Sequence, residues 1–171
     1  MALAERLVAD LGGRFVEVPE EKRTLYHAAL AHGANHLVTL VNDAADLLRA
    51  AGVERPDRVL APLLHAALDN ALRSGDAALT GPVSRGDAGT VAGHLEVLSE
   101  RVPDAVPGYA AMARLTAGRA LAAGRITPSQ AAPLVDVLAD AESPSPGPRG
   151  HAAATPPDVV TARLPRPRRP E

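Results

Sequence analysis

The sequence predicts an all-α protein: a helical bundle built on one long central helix, with a short helix-strand segment ahead of it and a disordered tail behind. Three observations carry this. Apolar residues recur at helical spacing through residues 19–142, the runs are bracketed by proline, acidic residues and glycine, and aromatics make up only 2% of the chain. A core drawn from alanine, leucine and valine lets helices approach closely, which favours helix packed on helix.

The elements follow in order. Leu3, Leu7, Val8 and Leu11 keep helical spacing, Gly12 and Gly13 stop the run, and residues 15–18 alternate as a short strand does. Glu5 and Asp10 interrupt the apolar run and no basic segment precedes it, so it does not read as a secretory signal and a cytoplasmic protein is expected. A single strand has no ladder partner, and no second strand signal follows. Residues 1–18 are therefore expected to be the remnant of another domain.

Pro19, Glu20 and Glu21 make a good first helical turn. Leu30, Ala34, Leu37, Val41, Ala44 and Leu48 then step by four and three, a continuous apolar stripe that Gly52 closes. The result is a helix of roughly 30 residues, about 45 Å long, which normally crosses a whole domain or reaches into a partner subunit. Pro56 and Asp57 open a second helix with Leu60, Leu64, Ala67, Leu68, Ala71 and Leu72 on its buried side, ending near Gly75. After a turn-rich connection Asp87 caps a helix carrying Val91, Leu95 and Leu98, and two more helices follow, one around Tyr109 and one from Thr127 and Pro128. From Ser143 the proline-rich composition cannot offset its ordering entropy, so residues 143–171 are expected to be disordered.

Composition excludes several chemistries. A net charge of −2 and a pI near 6.3 give no basic field for nucleic acid, and no run suits a membrane. Without cysteine there is no thiolate or disulfide, and Lys22 is the only lysine among 18 basic residues. Neither GxGxxG nor GxxxxGK[ST] occurs, so no dinucleotide or phosphate cradle is expected; GxSxG is also missing. His32 and His36 have the i, i+4 spacing of paired metal ligands but lack a third, and no metal is expected.

Two constellations remain. On the long helix, Asn35, Thr39, Asn42 and Asp46 form a polar seam beside the apolar stripe, with Tyr26 and His27 one to two turns earlier. His27 and Asn35 are expected about 12 Å apart along the helix axis and about 80° apart around it, so they could reach one ligand but not each other. The alternative is a solvated face. Residues 80–87 form the second group: glycines and a proline set a fixed turn, with Arg85 just ahead of a helix N-terminus where an anion could bind. The alternative is a structural connector capped by Asp87.

These residues carry a resemblance. Tyr26 and His27 at the start of the long helix, Asn35 two turns on, Asn70, the Ala-Leu-Thr-Gly-Pro run 78–82, Arg85 to Asp87, and His94 with Leu95 resemble the C-terminal domain of the bacterial family known as domain of unknown function 2520. The resemblance spans roughly residues 1–125. It implies a fold like the C-terminal domain of 6-phosphogluconate dehydrogenase, normally paired with an N-terminal Rossmann-like domain that binds NAD(P). By resemblance the helical domain dimerises and contacts a small-molecule substrate, and this chain alone is expected to hold no cofactor. The wider relatives, enzymes like 6-phosphogluconate dehydrogenase and ketopantoate reductase, commonly carry a lysine four residues before the long-helix asparagine, but Ala31 stands there in this chain. The resemblance then leaves His27 as proton donor and Asn35 as the residue orienting a substrate oxygen, with Tyr26, Asn70, Thr80, Arg85 and His94 on the substrate side. A non-catalytic helical interaction module is the other expectation.

Overall fold

The computed structural model describes residues 2–141, and they are all-α, with no strand among them. Helix α1 (Ala2–Asp10) ends in a turn at Gly12, whose φ of +73° suits glycine. Residues 13–19 follow without regular structure, so the strand expected at residues 15–18 does not form. The reason is the absent ladder: extended backbone is held by a neighbouring strand, and the described chain provides none.

The long helix is present and runs from residue 20 to residue 50, close to the expected length. It is composite. A 3-10 turn (Glu20–Lys22) leads into α2 (Arg23–Leu30), a π turn (Ala31–Asn35) interrupts the ladder, and α3 (His36–Ala50) completes it. The His36 N–H donates to the Ala31 carbonyl, five residues back rather than four. One extra residue in a turn rotates everything before it by about 100° relative to everything after it. The apolar stripe is therefore broken, with Leu30 swung away from the line of Leu37, Val41, Ala44 and Leu48. At the far end Gly52 adopts φ +88° and the Val53 N–H donates to the Leu48 carbonyl at 2.9 Å, a glycine-terminated helix end.

Helix α4 (Pro56–Ser74) starts with Pro56 at its first turn and packs back along α3. With 19 residues it reaches about as far as α3 and the π turn together, so α2 projects beyond it. Its expected buried side is only half covered. Pro56 and Leu60 are buried, whereas Ala67, Leu68 and Ala71 are exposed and Leu72 is 81% exposed. Periodicity identifies the apolar face, but no other described part of the chain covers its second half.

The closed core lies in the last three helices: α5 (Ala88–Arg101), α6 (Val106–Ala122) and α7 (Pro128–Asp140). Short connections make them run up, down and up. On α6 the buried alanines 110, 113, 117 and 120 step by three and four, a smooth row against which Val91 and Leu95 of α5 and Leu134 and Leu138 of α7 close. The Asp87 side chain caps α5, accepting from the Thr90 N–H at 3.0 Å and the Thr90 hydroxyl at 2.6 Å. Thr127 and Gln130 form a reciprocal capping box on α7. The Arg114 guanidinium donates to the Leu138 carbonyl near the end of α7. The proline-rich residues 143–171 lie outside the described residues.

Candidate functional site

The site residues singled out above fall on five parts of the fold. Tyr26 and His27 lie on the projecting α2, Asn35 closes the π turn, and Asn70 sits near the end of α4. Thr80 and Arg85 belong to the connection between α4 and α5, and His94 to α5. No hydrogen bond joins any two of the seven.

On the long helix the π turn changes their relation. With one residue fewer counted, the angle between His27 and Asn35 falls from about 80° to about 20°, and their separation along the axis from about 12 Å to about 10.5 Å. They now share a face. His27 also lines an open depression of about 410 Å³ with Arg23, Thr24 and Ala28. Arg23 there pairs with Glu20 at 3.1 Å, both well exposed, a contact that contributes little on its own. The glycine at position 33 is the sequence signal for this departure, because glycine in a helix interior weakens the α ladder where a π turn can form.

Asn70 is engaged locally: its side-chain oxygen accepts from Arg73 at 2.6 Å, and Arg73 also pairs with Asp69 at 2.8 Å. The connection reads chiefly as architecture. Ser84 is buried and donates its hydroxyl to the Gly81 carbonyl at 3.1 Å, while Gly81 and Gly86 both have positive φ. Its earlier turn, Gly75–Ala78, is tied to the end of α6 by Arg119 to Asp76 at 2.9 Å and Arg125 to the Ala77 carbonyl at 3.1 Å. Arg85 remains exposed beside Asp87, whose carboxyl is held below the usual aspartate range first by the Thr90 hydroxyl and backbone N–H, with Arg85 and His94 adding charge.

His94 has a partner the sequence did not reveal. Its Nδ1 lies 2.8 Å from the Tyr109 hydroxyl, the two rings packed edge to face across α5 and α6. Partial burial pushes the Tyr109 hydroxyl upward, so it stays protonated. The two residues are fifteen apart, and no local pattern links them. Among the described residues no group of three or more His, Asp or Glu is placed to hold a metal ion, and no helix is long and apolar enough to cross a membrane.

The fold and these residues define a helical domain whose long helix, with no buried residue, lies outside the core closed by α5, α6 and α7 rather than at its centre. The family model described as Domain of unknown function (DUF2520) matches residues 1–116, and the chain belongs to that family. No curated protein and no solved structure matches it. The match ends within α6, so α7, which contributes Leu134 and Leu138 to the core, lies beyond it.

Proposed function

We propose that this chain is the helical dimerisation and substrate-side domain of an NAD(P)-dependent oxidoreductase and does not catalyse alone. The observation that carries the reading is the uncovered long helix. Leu25 is 71% exposed and Leu30 55%, Val38 and Leu40 are also exposed, and α4 adds Leu63, Leu68 and Leu72. So much apolar surface on two neighbouring helices favours burial against a second copy.

The described residues do not fit a dinucleotide, because they form no strand and hold no glycine-rich strand-to-helix turn. A separate Rossmann-like domain would hold it. This chain supplies substrate contacts: histidine exchanges protons near neutral pH, so His27 would donate one to a substrate oxygen, and Asn35 on the same face would orient the substrate. Tyr26, Asn70, Thr80, Arg85 and His94 are the further substrate-side residues of this reading.

Light scattering on the whole chain at micromolar concentration should give a dimer, and a monomer would overturn the dimerisation claim. Isothermal titration with NADPH should show no binding to this chain by itself; tight binding would contradict the division of labour. In the two-domain enzyme, turnover unchanged by His27→Ala would remove the proton-donor role. The second reading, a non-catalytic interaction module, is favoured by the packing of the 80–87 turn, where Ser84 and Gly86 serve architecture.

A further inference from the structure

We propose that His32 and His36 form a two-imidazole clamp for a divalent transition-metal cation on the π turn of the long helix. Their Nδ1 atoms stand 3.0 Å apart, with the rings edge to face and their centroids 5.0 Å apart. Both residues are exposed, so a hydrated ion reaches them without any rearrangement of the fold. Gly33 adds room, with nothing within 4 Å of the place a Cβ would occupy.

The spacing suits an ion. Imidazole nitrogens bind zinc at about 2.0–2.1 Å, and two nitrogens 3.0 Å apart at that bond length subtend about 94° at a shared ion. This is close to the angle between neighbouring ligands in a square-planar or octahedral shell, as copper(II) or nickel(II) adopts, and a small side-chain rotation opens it toward the tetrahedral value. Without an ion, the short contact requires one imidazole to donate and the other to accept, in competition with water. When an ion binds, the donor carries its proton on Nε2 instead. Both Nδ1 lone pairs then face the metal, and no proton is lost.

No third His, Asp or Glu joins the pair among the described residues, so the other coordination positions fall to water or to an oxygen or nitrogen ligand from solution. The clamp is an open site rather than a closed structural one. It lies beside Asn35 in sequence, yet it stands independently of any role for that residue.

The test is titration of the whole chain with copper(II) chloride, followed by calorimetry and by nitrogen hyperfine structure in the electron paramagnetic resonance spectrum. One ion bound through two imidazoles is expected. Removing an outer-shell partner commonly weakens a metal site by 10–100-fold, so losing a ligand in His32→Ala or His36→Ala should cost about tenfold or more. His65→Ala, an exposed imidazole on α4, should leave the affinity unchanged. Far-UV circular dichroism checks that each variant keeps its helices. Equal affinity in the wild type, His32→Ala and His36→Ala would overturn the proposal, as would an equal loss in His65→Ala.

Discussion

Gly86 lies so close to Gln130 that a Cβ at position 86 would stand 2.9 Å from the Gln130 Cβ. The contact joins the turn before α5 to the first turn of α7. Gly86 also has φ +74°, so it meets two demands at once: a left-handed backbone and a close approach. Gly86→Ala should destabilise the fold by about 1–3 kcal/mol, measured by urea denaturation. Unchanged stability would mean that the turn yields more readily than this packing implies.

Asp87, one residue on, sets an acid limit. Its carboxyl is held below the ordinary aspartate value, chiefly by the Thr90 hydroxyl and N–H. A carboxylate with a lowered folded-state pKa contributes stability above the unfolded value of about 3.9, and loses it as pH falls through the folded value. Asn at position 87 still caps but does not titrate. The stability gap between the wild type and Asp87→Asn should therefore shrink as pH is lowered from 6 toward 3. A gap independent of pH in urea titrations would remove the charge from the account.

Gly33 is the opposite case to Gly86. It lies inside the long helix without a positive φ, and a Cβ there meets nothing. Gly33→Ala should raise stability by about 0.5–1 kcal/mol through the reduced entropy of the unfolded chain. Destabilisation in thermal melts would indicate that the π turn itself depends on glycine.

Leu134 is fully buried between α7 and the alanine row of α6. Leu134→Ala should cost about 2–5 kcal/mol, because a core of small side chains cannot easily close around the void. Loss of under 1 kcal/mol in denaturant titrations would show that α7 contributes less than its burial implies.

Val38 is 61% exposed on α3. Val38→Asp should leave helicity intact by circular dichroism while shifting the chain from dimer to monomer in light scattering. A dimer that survives this change uses another surface.

Much of the architecture was legible in the residues alone. Pro56, Asp87 and Thr127 mark helix starts, Gly52 marks an end, and each acts through backbone geometry and hydrogen bonds within a few positions, which is why local sequence reveals them. The candidate site was less legible. The 80° once separating His27 from Asn35 assumed α periodicity throughout, and the π turn at Gly33 removes most of it. The pairing of His94 with Tyr109 links two helices through space.

The sequence by itself determined that the described residues are mostly helical, where several of the helices start or stop, and which residues repeat as apolar within an unbroken helix. Only the tertiary structure decided which faces are covered: the alanine row of α6 is closed over by α5 and α7, while Leu30 and Leu72 stay open. The physical reason is that periodicity is a property of one element. Burial belongs to a pair, so the uncovered long helix became visible only when its neighbours were in place.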